Sequence, residues 1–176
     1  MNAFVLTESS GTNSGEHLEA LNHYRGNFLP VKTLIDRLTQ HADTDTHIIT
    51  NSHGLVNGTD VIKNIPEQDH DQALTDATDT LLNHLPNADI VVILTTSDTF
   101  HTIIADNWFD IVNAANADSI WCLGSGKTAL NECDLDALRN KVGTLHTYQR
   151  VGVAPIDNDT QDALLETIES ANQQSP

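Results

Sequence analysis

The sequence IVVILT at residues 90–95 decides the fold. It is continuously apolar and mostly β-branched, which is typical of a parallel strand covered on both faces. An amphipathic helix is predicted before it, over residues 71–85, and Pro86 ends that helix. A second helix is predicted after it, capped by Asp98 or Thr99 and running to about residue 115. A buried strand between two helices indicates a parallel α/β sheet.

The same alternation continues toward both ends of the chain. Further strands are predicted over residues 3–7, 46–51, 119–123 and 150–154, and further helices over 16–24, 31–41, 134–140 and after Asp157 or Asn158. This pattern predicts one α/β domain over residues 1–171, a three-layer sandwich with a mainly parallel sheet of about five strands and helices on both faces. Residues 172–176 are predicted to form a frayed tail.

The charge of the chain limits its partners. The 176 residues include 25 acidic and 8 basic side chains, for a formal net charge of −17. Binding to nucleic acid or to an anionic membrane surface needs clustered Lys and Arg, so the charge disfavours both partners. No segment approaches the roughly 18 apolar residues of a transmembrane helix, and the N-terminus lacks the basic region of a signal peptide. We expect a cytoplasmic protein with no membrane contact.

The types of charged residue in the chain indicate the habitat of the organism that it comes from. Asp accounts for 18 of the acidic residues, Lys occurs only four times, and the acids are dispersed along the chain. In molar salt the Debye length falls to about 3 Å, so the self-repulsion of such a chain is screened. Asp-rich and Lys-poor surfaces are typical of extremely halophilic archaea, which predicts a haloarchaeal origin. An ordinary acidic mesophilic protein is the alternative.

Polar residues that follow the predicted strands form the candidate site. Ligands of open α/β sheets bind beyond the carboxyl ends of the strands. The loops there are rich in Gly, Ser and Thr, whose backbone N–H groups and hydroxyls can hold an anion, although the same residues are common in turns and caps. We predict a small anionic or nucleotide-like ligand. The predicted binding residues are Ser9, Ser10, Ser52, Gly54, Ser125, Gly126, Lys127, Thr128 and Arg25.

Four charged or titratable side chains give this site its predicted chemistry. Lys127 is one of only four lysines and is predicted to hold a phosphate or carboxylate. Arg25 suits the same role, with pairing to a surface Asp as its alternative. His53 titrates near neutrality and is a candidate general acid or base, or else a loop histidine that bonds the backbone. Glu8 is the second catalytic candidate, and whether the protein is an enzyme is left open.

Spacing excludes several known motifs. The segment GSGKT, residues 124–128, resembles a P-loop, but the residue five positions before Gly126 is Trp121 rather than Gly. The chain contains no G-x-S-x-G elbow of a serine hydrolase. It has no HExxH segment, and Cys122 and Cys133 match no zinc-binding spacing. We therefore predict no metal site and no disulfide framework, expect Cys122 to be a buried thiol, and leave the cofactor unassigned.

The first third of the chain carries a family resemblance. A Tyr–Gly–Phe segment precedes an amphipathic helix, and the next strand ends in Ser, Gly, Leu and Val. Because these features occur in this order, residues 1–65 resemble the YaaA-like α/β proteins. The resemblance implies nucleic-acid maintenance or nucleobase-type chemistry. The chain departs from that group after the first strand, where Glu8 to Ser10 replace a Cys-Ser pair and a basic residue. The matching residues are Tyr24, Gly26, Phe28 or Leu29, Ser52, Gly54, Leu55 and Val56.

Two other classes of function stay open. One is a non-catalytic interaction or assembly module, including a homodimer, because large aromatic side chains such as Trp108 and Trp121 anchor interfaces. An exposed Trp108 would indicate a partner, whereas a buried Trp108 would belong to the core. The other is a nucleic-acid maintenance factor, as the resemblance implies, which would need a local basic patch.

Overall fold

The computed structural model describes residues 1–15 and 17–175, so Glu16 of the first predicted helix and Pro176 of the predicted tail lie outside it. Its strands form one sheet in the order β3-β2-β1-β4-β5-β6. β3 is antiparallel to β2, and every other neighbouring pair is parallel. The strands are β1 (Asn2–Glu8), β2 (Asp43–Ile49), β3 (Leu55–Asn57), β4 (Ile90–Leu94), β5 (Ile120–Ser125) and β6 (Thr144–Gln149).

This sheet confirms the predicted α/β fold with mostly parallel strands. Its order is that of Rossmann-like sheets, apart from the antiparallel β3. The described residues form six strands rather than about five, because the segment LVN at residues 55–57 pairs with β2. Three residues are too short for a recognisable sequence pattern, so β3 was missed.

The helices begin where the sequence offers caps. Three aspartates accept hydrogen bonds from the first turns of the helices that follow them: Asp69 before His70–His84, Asp134 before Leu135–Lys141 and Asp157 before Asn158–Gln174. Within the described residues, no helix is both long and apolar enough to cross a membrane. The helices are α1 (Ala20–His23), α2 (Leu29–Leu38), α3 (His70–His84), α4 (Ser97–Ile103), α5 (Trp108–Ala114), α6 (Lys127–Asn131), α7 (Leu135–Lys141) and α8 (Asn158–Gln174), with 3₁₀ turns at Gly26–Phe28, Ile62–Asn64, Leu85–Asn87 and Ala105–Asn107.

The last strand was predicted in the wrong place. Residues 150–154 form a loop, in which Val151 and Val153 are 75% and 65% exposed. The strand is the preceding segment Thr144–Gln149, which runs parallel to β5 from Ile120↔Thr144 to Ser125↔Gln149. Two valines in alternation resemble a strand locally, but Gly152 between them has a φ of +70° and turns the chain.

Three helix predictions differ in extent from the structure. The helix predicted to run from Asp98 or Thr99 to residue 115 is divided into α4 and α5, and its cap position is Thr96. The Asn107 side chain donates to the carbonyl of Ile103 at 2.9 Å, so it satisfies backbone at the break. α1 covers only Ala20–His23 of the predicted 16–24, and α8 continues to Gln174, beyond the predicted start of the tail.

The core has two parts that share the sheet. Phe4 and Leu6 of β1 belong to a cluster with side chains of α3, α4, α5 and α7, whereas Ala3 and Val5 belong to a cluster with side chains of α2 and α8. This alternation is the period of two that a strand imposes. Half-buried Trp108 packs against the first cluster and its indole N–H donates to the Asp134 carbonyl at 3.1 Å, as expected of a core residue.

Both cysteines are free thiols inside the core. Cys122 lies in the second cluster and is fully buried, and Cys133 lies in the first and is 7% exposed. Burial, with a smaller contribution from the Asp157 charge, raises the pKa of Cys122 to about 12. Burial, with a smaller contribution from the Glu132 charge, raises the pKa of Cys133 to about 12. The predicted buried thiol at Cys122 is confirmed.

Candidate functional site

A crevice of about 200 Å³ opens beyond the carboxyl ends of β1 and β4. β1 lies between β2 and β4, so the chain leaves β1 and β4 in opposite directions along the sheet. Ligands of open α/β sheets bind at such a switch point. A larger and more open depression lies at the amino ends of β5 and β6, away from this position. The polar residues that line the crevice are Thr7, Glu8, Ser9, Ser10, Asn27, Thr96 and Arg150.

Glu8 joins the two sides of the crevice. The Thr96 backbone N–H donates to Glu8 Oε1 at 2.6 Å, and the Thr96 hydroxyl donates to the same oxygen at 2.9 Å. Thr96 is the residue that precedes the first turn of α4. The carboxylate of Glu8 therefore occupies the amino end of α4, where an anion is favoured. Its other oxygen, Oε2, has only a longer contact of 3.3 Å with the Thr96 hydroxyl.

The loop after β1 is held by its own hydroxyls. Ser10 Oγ lies 2.5 Å from the Arg25 carbonyl and 2.8 Å from the Thr12 carbonyl, and the two carbonyls share its single hydroxyl proton. Burial raises the pKa of Tyr24, and a hydrogen bond with Ser9 opposes that rise. Ser10 thus positions the crevice wall, and Arg25 contributes through its backbone while its side chain is exposed.

Arg150 is a lining residue that the sequence analysis missed. Its backbone N–H donates to the Ser125 carbonyl at 2.8 Å, and its Nη2 donates to the Val153 carbonyl at 3.0 Å. Both contacts hold it in the loop that follows β6, at the same edge of the sheet as Glu8. It was overlooked because residues 150–154 were predicted as a strand. The turn residues Gly152 and Pro155 are the signal that could have placed it in a loop.

The predicted site residues after β5 are placed apart from this crevice. Ser125 is buried, and Gly126 lies so close to α4 that an added Cβ would be 2.2 Å from Ser97 Oγ. Lys127 and Thr128 are exposed in the first turn of α6. In the described part of the chain none of these four residues lines the crevice. A ligand role for Lys127 stays a prediction.

The predicted residues after β2 form a tight turn into β3. The Thr50 hydroxyl donates to the Gly54 carbonyl at 2.6 Å and accepts from the His53 N–H at 2.9 Å. Gly54 has a φ of +72°, which favours glycine. Ser52 Oγ lies 3.2 Å from His53 Nδ1. Because β3 reverses direction at once, these residues close a turn and do not reach the crevice as the structure describes it.

Two buried hydroxyls lie at the carboxyl ends of β4 and β5. Thr95 and Ser125 directly follow Leu94 and Gly124, which are paired across β4 and β5. They are 2% and 0% exposed, and within the described residues neither side-chain oxygen has a hydrogen-bond partner. Unpaired buried hydroxyls are rare in proteins. Stability does not explain this pair, and Thr95 lies between Leu94 and Thr96, which line the crevice, whereas Ser125 lies outside that lining.

A second group of polar side chains lies away from the crevice. Asp45 and His47 of β2 and His84 of α3 bring their ligand atoms within 4.8 Å of one another. Burial would raise the pKa of Asp45, but hydrogen bonds from His47 and Asn57 and the charges of His47 and His84 lower it below its usual value. Although no metal site was predicted, these are metal-binding residue types. An Asp-x-His segment in a strand was the available signal.

No protein-family model matches the chain. A search of curated proteins likewise gives no match. The resemblance to YaaA-like proteins therefore stays a prediction, and the function is inferred from the site itself.

Replacing Thr95 by valine is expected to raise the free energy of unfolding by about 1 kcal/mol, because it removes a buried hydroxyl that has no partner and keeps the side-chain shape. Urea unfolding at a fixed KCl concentration measures this change. Thr50→Val is the matched control. It removes a buried hydroxyl with two partners and is expected to lower the free energy of unfolding by about 1–3 kcal/mol. An equal loss in both variants would contradict the prediction.

Proposed function

We propose that the protein binds a small hydroxylated anion, such as a sugar phosphate or a hydroxycarboxylate, in the crevice between β1 and β4. The observation that carries this proposal is that Glu8 and Arg150 line the same crevice at the switch point of the sheet. We also propose that the domain is a three-layer unit with helices on both faces. The Asp-rich, Lys-poor composition supports the further proposal that this is a cytoplasmic haloarchaeal protein.

Arg150 is the group that binds the anion. One guanidinium nitrogen is engaged by the Val153 carbonyl, which restrains the side chain. A guanidinium carries five N–H donors, so several remain for the ligand. The guanidinium N–H groups form a planar fork that can bind a carboxylate or a phosphate through two parallel hydrogen bonds.

Glu8 is the group that binds the ligand hydroxyl. Its Oε1 already accepts two hydrogen bonds from Thr96, whereas Oε2 has only a long contact with Thr96. The carboxylate also excludes a second anion from the amino end of α4. The anionic end of the ligand is therefore directed to Arg150, and a hydroxyl is directed to Glu8.

The size of the crevice restricts the ligand. A volume of about 200 Å³ is below the roughly 300–1,000 Å³ of sites for drug-sized molecules. A dinucleotide does not fit inside it, and a nucleotide-like ligand places only its sugar phosphate there. The net charge of −17 repels anions at low salt. Molar salt screens that repulsion and leaves short-range contacts to decide binding.

The test is a thermal-shift screen in molar KCl with glycerol phosphate, ribose phosphate, lactate and malate, followed by calorimetry on the best binder. A ligand at 100 times its Kd adds about 2.7 kcal/mol to stability. Arg150→Ala is expected to weaken binding at least tenfold, or about 1.4 kcal/mol. Lys127→Ala is the matched control, because Lys127 is a cation at the same edge of the sheet but outside the crevice lining, and it is expected to leave the Kd unchanged.

Two outcomes would overturn this proposal. Loss of binding in Lys127→Ala but not in Arg150→Ala would move the site to the end of β5. No shift with any of these anions, in a protein that melts cooperatively, would favour the interaction-module function. The surface to test next would then be that of Phe109, which is 78% exposed.

A further inference from the structure

Asp45, His47 and His84, here called the Asp–His–His cluster, come together because of the fold. Asp45 and His47 are two residues apart on β2 and so point to the same side of the sheet. His84 is the last residue of α3. The Phe4 ring lies against both imidazoles, with ring centroids 5.3 Å from His47 and 4.8 Å from His84. A buried aromatic side chain therefore fixes the two histidines beside the carboxylate.

The distances within the Asp–His–His cluster suit a metal ion. Asp45 Oδ2 lies 2.9 Å from His47 Nε2 and 3.2 Å from His84 Nε2. Zinc is bound tetrahedrally at about 2.0–2.2 Å from nitrogen and oxygen ligands, which separates neighbouring ligand atoms by about 3.3 Å. Both measured distances are close to this edge. The ligand atoms of the third pair, His47 and His84, also lie within 4.8 Å of each other.

The hydrogen bonds around the cluster orient its ligands for a cation. His84 Nδ1 donates to the Thr80 carbonyl at 2.7 Å, because a carbonyl can only accept. In its neutral form the ring therefore presents the lone pair of Nε2 to the Asp45 carboxylate, which is also an acceptor. Two acceptors 3.2 Å apart repel each other unless a proton or a metal ion lies between them.

The carboxylate has a partner of its own. Asn57 Nδ2 donates to Asp45 Oδ1 at 2.9 Å, which leaves Oδ2 directed to the histidines. Metal-binding histidines commonly donate their other N–H to a backbone carbonyl, and metal-binding carboxylates are hydrogen-bonded in turn. Thr80 and Asn57 supply these two supports here.

We propose that Asp45, His47 and His84 bind a Zn²⁺ ion. Two imidazoles and one carboxylate are ligand types that zinc accepts, and three protein ligands leave a fourth position for water. Asp45 and His84 also line a pocket of about 370 Å³. A small molecule that enters this pocket would therefore come close to the bound ion.

The zinc site is separate from the crevice. On β1, Phe4 pairs with Asp45 of β2, whereas Glu8 at the other end of the strand lines the crevice. The zinc proposal therefore does not rest on the proposed anion binding. A negative result for zinc binding therefore does not contradict anion binding in the crevice, and the reverse also holds.

The test uses the tag-free full chain in molar KCl, because an engineered histidine tag would bind metal itself. Zn²⁺ is titrated by calorimetry, and Co²⁺ is added as a spectroscopic substitute whose visible absorption is strong in a tetrahedral site. The expected result is one ion per chain. His47→Ala and His84→Ala are each expected to weaken binding at least 100-fold and to abolish the tetrahedral Co²⁺ spectrum. Asn57→Ala is expected to weaken it about 10–100-fold.

His101→Ala is the matched control. His101 also lies between two carboxylates, those of Glu132 and Asp106, but on the exposed surface. It is expected to leave zinc affinity unchanged. His84 is 40% exposed, so its replacement is expected to preserve the fold, which circular dichroism checks.

The proposal is overturned if the folded chain takes up no stoichiometric zinc. It is also overturned if His101→Ala weakens binding as much as His84→Ala, since the ion would then bind the acidic surface without selection. In either case Asp45, His47 and His84 form a polar group that selects no metal ion.

Discussion

Replacing Trp121 by alanine is expected to lower the free energy of unfolding by about 3–5 kcal/mol. The indole is fully buried, on a strand flanked by β4 and the edge strand β6. Its Nε1–H donates to Ser119 Oγ at 2.7 Å. Alanine removes that contact area and leaves a cavity that the surrounding strands cannot close, because both neighbours are fixed in register. Urea unfolding at constant KCl measures the loss.

Trp121→Phe separates the volume of the ring from its hydrogen bond. Phenylalanine keeps most of the apolar contact, and Ser119 Oγ keeps the Asn116 carbonyl as its acceptor at 2.6 Å. The expected loss is therefore only about 1–2 kcal/mol. A loss below about 1 kcal/mol for Trp121→Ala would show that Trp121 is not a core residue.

Replacing Gly124 by valine is expected to lower the free energy of unfolding by about 2–3 kcal/mol. A Cβ at this position would lie 2.7 Å from Leu94 Cδ2 and 3.1 Å from the Pro155 carbonyl. Leu94 is 1% exposed and Pro155 O is backbone, so neither can move aside at low cost. Valine has the higher strand propensity, so a loss must come from these contacts.

The same substitution is expected to weaken ligand binding in the crevice. Leu94 and Pro155 both line it, and the glycine allows the loop after β6 to lie directly on the strand ends. Gly11→Val is the control for stability alone, since an added Cβ there meets no atom within 4 Å but Gly11 itself lines the crevice. Stability within about 0.5 kcal/mol of the parent is expected for it. Equal stability of the two variants would contradict the close approach at Gly124.

Much of the fold was predictable because its signals are local. β1, β4 and β5 are apolar runs bounded by polar residues, and Asp134 and Asp157 are helix caps that the sequence places in the positions observed. The position of β6 was not predictable in this way. The choice between 144–149 and 150–154 depends on which segment hydrogen-bonds to β5, and that is decided by tertiary pairing rather than local pattern.

The candidate site likewise contains residues that local sequence predicts and residues that only tertiary contacts reveal. Glu8, Ser9 and Ser10 were found because they follow a strand directly in the sequence. Arg150 lines the crevice only because β6 positions the loop that carries it. Within the Asp–His–His cluster, local spacing reveals only the Asp45-x-His47 pair, because the contact with His84 joins a strand to the end of a helix.

The two buried thiols react slowly with electrophiles and oxidants while the chain is folded. With pKa values near 12, Cys122 and Cys133 carry almost no thiolate at neutral pH, and the thiolate is the reactive form. Each sulfur regains ordinary reactivity only when its region opens. The rate of labelling at Cys122, on β5, therefore reports the opening of the strands around it. The rate of labelling at Cys133 reports the opening of the neighbouring helices.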